Sequence, residues 1–139
     1  MNVSEAMTAQ VVTAAPADSV QKVAGIMLNI ETGAVPIVED EKVVGLITDR
    51  DIVLQVVATG GALSTPASEV MSVDVQTCRE GDNMADAAAQ MAHHQIRRLV
   101  VVNDAGKLVG ILSLGDIATD YGAKVVGKTL EEISVDNDA

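Results

Sequence analysis

The chain contains no phenylalanine and no tryptophan, and Tyr121 is its only aromatic residue. Its core must therefore be built from Val, Ile, Leu, Ala and Met, and it has no aromatic platform on which unpaired bases could stack. Cations are scarce as well: 9 Lys and Arg stand against 20 Asp and Glu, a formal charge of −11. Nucleic-acid surfaces need clustered cations, which argues against that class, whereas a strongly acidic balance favours solubility. Arg97-Arg98 is the only adjacent basic pair. A single cysteine, Cys78, excludes an intrachain disulfide and a multi-cysteine zinc site. No apolar run approaches the roughly 18 residues of a membrane span, and Met1 to Gln10 lacks the basic-then-apolar order of a signal peptide. These absences predict a soluble cytoplasmic protein with neither a nucleic acid nor a membrane as partner.

What is present is a repeat. Ala6-Met7-Thr8 matches Val70-Met71-Ser72 at an offset of 64 positions, and Thr13 and Asp18 match Thr77 and Asp82 in the same way. Val20, Val23, Ala24 and Met27 answer to Met84, Ala87, Ala88 and Met91, spaced i, i+3, i+4, i+7 as one apolar helical face requires. Two short runs, Ala34 to Val38 and Arg98 to Val102, suit buried strands. A turn follows each, one residue longer in the second copy: Glu39-Asp40-Glu41 against Asn103-Asp104-Ala105-Gly106. Lys42 to Thr48 and Lys107 to Ser113 then read as returning strands, and Asp51 and Asp116 open a second helix.

Each copy reads as strand, helix, strand, strand, helix. A three-stranded sheet covered on one face leaves its other side open, and packing against its twin would close it. The expected fold is α/β (α+β), two tandem βαββα repeats about a pseudo-two-fold axis. Residues 1–57 form the first repeat with its N-terminal segment, 58–68 the linker with Gly60-Gly61 and Pro66, 69–122 the second repeat, and 123–139 a tail. In that tail Thr129 is positioned to cap a short helix through Ile133, and frayed residues are expected beyond it.

The local signal with chemical content is Gly45-Leu-Ile-Thr48-Asp-Arg-Asp51, echoed by Gly110-Ile-Leu-Ser113-Leu-Gly-Asp116. Each places a hydroxyl at a strand end and a carboxylate three residues on, in the first turn of a helix. One reading is a capping box. The other is a ligand site: helix N-termini suit phosphate, the hydroxyls of Thr48 and Ser113 can donate to it, and Asp51 and Asp116 suit a sugar diol. Hydroxyl, carboxylate and apolar strand together suggest a ribonucleotide.

The duplicated βαββα unit ending in Gly-h-h-Thr/Ser-x-x-Asp resembles a pair of cystathionine-β-synthase-type (CBS) domains, a Bateman module. The resemblance runs from about Val3 to Tyr121 and leaves no catalytic domain over, as in small stand-alone CBS-pair proteins of bacteria and archaea. It implies a regulatory role and no enzyme. Adenine nucleotides (AMP, ADP or ATP), S-adenosylmethionine or NAD-like ligands would bind in two clefts between the repeats. A homodimer and a regulated partner protein would read out the change. Asp51 and Asp116 would hold ribose hydroxyls, and Thr48 and Ser113 phosphate or ribose. Gly33, Ala34, Val35 and Pro36, with Ile96, Arg97 and Arg98, would line the walls. The segments before each first strand, with Met7, Ala9, Val11, Val12, Asp74 and Val75, would contribute to the base pocket. Arg50 and Arg98 would neutralise phosphate. Val100 stands where the family often has Pro, and Gly115 replaces the cation that Arg50 supplies in the first motif, so the two clefts are expected to be unequal.

A structural or interaction module, in which both motifs only cap helices and the output is dimerisation, is the alternative. The adjacent His93 and His94 point to different faces of a helix without a third ligand, so no metal site is expected. Nothing supplies Cys78 with an oxyanion hole or an orienting acid, so it reads as a small core residue.

Overall fold

A computed structural model describes residues 1–120 and 130–134. Among them the chain forms two compact units, one of Val11–Val75 and one of Met1–Gln10 with the chain from Gln76 onward.

In the first of these, helix α1 (Val20–Ile30) begins where the Ser19 side chain accepts a hydrogen bond from Lys22 N and ends where Glu31 turns left-handed at φ 53°. Its inner face is Val20, Val23 and Met27. Strands β1 (Ala34–Glu39) and β2 (Lys42–Thr48) pair antiparallel, with Ala34 opposite Thr48 and a bulge at Ile37/Val38. The hairpin closes through Asp40 and Glu41, both at positive φ (52° and 66°), the backbone a two-residue turn needs to match strand twist. Helix α2 (Asp49–Ile52) runs directly into a π-helical turn, Val53–Val57. The expected first strand of this repeat is reduced to one parallel bridge, Ala14 to Ile37, held by Ala14 N to Pro36 O and Val38 N to Ala14 O.

The other unit repeats the plan. Strand β3 (Thr77–Arg79) pairs parallel with β4 (Arg98–Val102), which pairs antiparallel with β5 (Leu108–Ser113), Arg98 lying opposite Ser113 and a bulge falling at Val101/Val102. Helix α3 (Met84–His94) starts at Asn83, whose side chain accepts from Ala85 N, buries Met84, Ala87, Ala88 and Met91, and ends at Gln95 with φ 56°. Helix α4 (Leu114–Asp120) follows β5 without a break. Residues 130–134 are helical, whereas Tyr121 and Thr129 lie outside the described residues.

Each unit is completed by the segment that precedes the other repeat in sequence. Thr8 exchanges both backbone hydrogen bonds with Ile111 of β5, and Ser72 does the same with Leu46 of β2. Val3 N and Ser4 N donate to Asp82 O and Glu80 O, tying the N-terminus to the start of α3, as Val20 N and Gln21 N tie α1 to Thr65 O and Leu63 O. Val3 joins a core of Met84, Met91, Leu99, Val101, Leu112 and Ile117, while Ala67 and Val70 join Val20, Val23, Val35, Ile37 and Ile47. Sequence repeats and compact units are therefore offset by one segment.

Candidate functional site

The two motifs occupy equivalent strand-to-helix corners. Asp49 N donates to Gly33 O at 3.0 Å in the first, and Leu114 N donates to Arg97 O at 2.9 Å in the second. The carbonyl at the start of the middle strand thus holds the first N–H of the following helix in both repeats.

Both motifs form reciprocal caps. Asp51 Oδ2 accepts from Thr48 N at 2.8 Å while Thr48 Oγ1 accepts from Asp51 N at 3.2 Å. Asp116 Oδ2 accepts from Ser113 N at 2.9 Å and Ser113 Oγ accepts from Asp116 N at 3.1 Å. One carboxylate oxygen is spent in each cap. The other oxygen can accept, and the hydroxyl proton can still be donated, so capping and ligand binding draw on different atoms of the same side chains.

At the second corner the structure opens a cavity of about 380 Å³, within the roughly 300–1,000 Å³ usual for small-molecule sites. Its polar lining is Arg97, Arg98 and Ser113, three of the residues expected from sequence. Arg98 belongs there because strand register sets it across from Ser113. Leu114, Gly115, Ala118 and Leu130 supply the remaining wall. Gly115 stands where the first motif has Arg50, and no sequence motif connects Leu130 to Ser113.

The other expected residues lie as follows. Met7 is half-buried beside Gly110, Ala9 is exposed, and Ile96 packs partly buried against the core. In the first repeat, Ala34, Val35 and Pro36 are buried, with Val35 inside the apolar core; Thr48, Asp51 and Gly33 are half-buried and Arg50 is exposed. Val11 and Val75 are half-buried, Val12 and Asp74 exposed.

Elsewhere, burial pushes the Cys78 thiol up to about 11, with the Asp82 carboxylate adding to the shift. His93 and His94 are exposed, their rings edge to face at 4.9 Å. Among the described residues no three His, Cys, Asp or Glu side chains are grouped for a metal ion, and no helix is long and apolar enough to cross a membrane.

The CBS domain model matches residues 3–58 and, a second time, residues 67–122. The chain belongs to the CBS domain family. It is 41% identical over 137 residues to the CBS domain-containing protein YhcV of Bacillus subtilis, covering 98% of this chain and 97% of that one. Among solved structures, it is similar to a CBS domain protein from Pyrobaculum aerophilum complexed with AMP (TM-score 0.80, 26% identity, 94% of this chain and 99% of that one). It is also similar to the CBS domain pair of protein MJ0100 in complex with 5-methylthioadenosine and S-adenosyl-L-methionine (TM-score 0.79, 28% identity, 89% and 98% covered). Two tandem CBS repeats, mixed in helix and strand, are thus the architecture of the chain.

Proposed function

We propose that the protein is a regulatory CBS pair that binds an adenosyl ligand, an adenine nucleotide such as AMP, ADP or ATP, or else S-adenosylmethionine or NAD, and performs no catalysis itself. The observation that carries this reading is the cavity at Ser113, where two of the chain's few cations, Arg97 and Arg98, flank a hydroxyl in a protein with a formal charge of −11. Guanidinium groups suit phosphate or carboxylate, the second oxygen of Asp116 suits a ribose hydroxyl, and an apolar wall suits a base. Thr48, Arg50 and Asp51 play the corresponding parts in the first repeat, with Gly33, Ala34, Val35 and Pro36 around them. Met7, Ala9, Val11, Val12, Asp74, Val75 and Ile96 complete the proposed contact set. Occupancy shifts the protein between arrangements for which the ligand has different affinity, and a partner protein in the cytoplasm reads the change. Homodimerisation fits the large apolar side chains left exposed on the helices of the first repeat: Leu28, Ile30, Val53, Leu54 and Val57.

Calorimetric titration of ligand-free protein with AMP, ADP, ATP, NAD and S-adenosylmethionine tests the assignment. Binding of at least one, abolished by Asp116→Ala or Arg98→Ala, is the expected result; silence toward all five removes the reading. The absorbance of the purified protein is a first check, because with no Trp and one Tyr a co-purified adenine dominates near 260 nm. A second reading, an interaction module without a ligand, is favoured by the reciprocal caps, which give both motifs a structural task. It requires that Asp51→Ala and Asp116→Ala change stability alone.

A further inference from the structure

We propose that the C-terminal helical turn, residues 130–134, is a wall of the second repeat's ligand cavity, so that docking of this turn and occupancy of the cavity reinforce each other; this rests on the ligand reading of that cavity. Leu130 lines the cavity together with Arg97, Arg98 and Ser113. Three residues on, on the same side of a helical turn, Ile133 is only 4% exposed and belongs to the core built on Met84, Leu99 and Ile117. Glu131 and Glu132, between them, are exposed. The turn is amphipathic: its apolar side is anchored and its carboxylates stay in solvent, clear of the site where an anion would sit.

Repeat symmetry does not account for this turn. The segment that completes the Val11–Val75 unit, around Pro66 to Ser72, has its counterpart in Asn2 to Thr8, which completes the other unit through the same kind of backbone bonds. Residues 130–134 are therefore an addition to the second corner, and they bring an apolar side chain to the cavity on the helix side, beside Ala118. A ligand with an anionic end at Arg97 and Arg98 and an apolar face toward Ala118 and Leu130 gains from the docked turn. By linkage, the turn is held more tightly when that ligand is bound.

The test uses the full-length chain with AMP and S-adenosylmethionine as probes. Binding is measured by calorimetry for the wild type, Arg98→Ala, Leu130→Ala, Leu130→Met and, as an exposed control in the β4–β5 turn of the same unit, Asp104→Ala. Amide exchange across residues 130–134 is followed with and without saturating probe. For the site that Arg98→Ala abolishes, Leu130→Ala should weaken binding roughly tenfold, the loss expected when a partly buried leucine contact is removed. Leu130→Met and Asp104→Ala should stay within about twofold, since methionine refills the volume and Asp104 lies in the turn at the other end of the β4–β5 hairpin from Arg98 and Ser113, and bound probe should slow exchange across residues 130–134. Unchanged or tighter binding by Leu130→Ala, or exchange that ignores the probe, overturns the coupling while leaving the ligand reading intact. A wild type silent toward these two probes and toward ADP, ATP and NAD as well overturns both, and is recognised without any variant.

Discussion

Met7 packs against Gly110. A Cβ added to Gly110 would sit 2.7 Å from Met7 Sδ and 2.8 Å from the Thr8 carbonyl oxygen, and that carbonyl already accepts from Ile111 N at 3.0 Å. Met71 covers Gly45 in the same way, but there the atoms in the way, Sδ and, at 2.7 Å, Cγ among them, all belong to a flexible side chain. Gly110→Ala is therefore expected to destabilise the fold by about 1–3 kcal/mol, the usual range for overpacking, and Gly45→Ala by less. Urea unfolding of the two variants checks the order; equal losses would show that the Thr8 backbone yields as readily as a thioether.

The caps can be separated from the ligand by their size. Thr48→Ala and Ser113→Ala each remove an acceptor for a helix N–H and should cost about 1 kcal/mol in thermal or urea unfolding. If the second corner is a binding site, Ser113→Ala should in addition weaken AMP or S-adenosylmethionine binding, measured by calorimetry. A stability loss with unaltered affinity would assign Ser113 to capping alone.

Cys78 should be silent toward thiol reagents until the protein unfolds. Its side chain is buried and its titration is pushed up to about 11, so roughly one thiol in a thousand is ionised at pH 8. Because the folded value lies above the ordinary 9.0, the unfolded chain releases this proton first, and stability contributed by the protonated thiol falls as pH rises from about 9 to about 11. Cys78→Ala should flatten that alkaline decline, measured by urea unfolding at a series of pH values.

Asp18 carries the opposite sign. Its carboxylate accepts from Ala15 N at 2.8 Å and meets Lys22 Nζ at 3.2 Å, and these hold its titration below the ordinary 3.8. The stability it contributes is present above that value and is lost as pH falls through the lowered one. Asp18→Asn should thus be less stable than wild type at pH 7, with the gap narrowing in acid. A gap that does not change with pH would mean the carboxylate's charge has no part in it.

Much of this arrangement was legible in the sequence, because it rests on local rules. The i, i+3, i+4, i+7 spacing of Met84, Ala87, Ala88 and Met91 marked a buried helical face, and the three-residue step from Ser113 to Asp116 marked a strand-to-helix corner. Matching the two copies marked the strands that carry Arg98 and Ser113, but the register that sets these two opposite each other depends on the bulged pairing of the hairpin. What escaped depends on contacts far apart in the chain. Nothing near Met7 points to Gly110, and nothing near Leu130 points to Arg97. Nor does the stretch Val53-Leu-Gln-Val-Val57 carry a residue that distinguishes a π turn from an ordinary helix.

The offset between repeats and units bears on how such a chain can be taken apart. Cutting between the copies, in the 58–68 segment, would leave Val3 and Thr8 on one fragment and their seats beside Asp82 and Ile111 on the other, and would separate Leu46 from Ser72. Neither half would own its complete edge. A cut after Val75 differs in kind: Val11–Val75 is one uninterrupted stretch that carries its own edge segment, so the chain divides at the boundary of the compact unit and not at the boundary of the repeat.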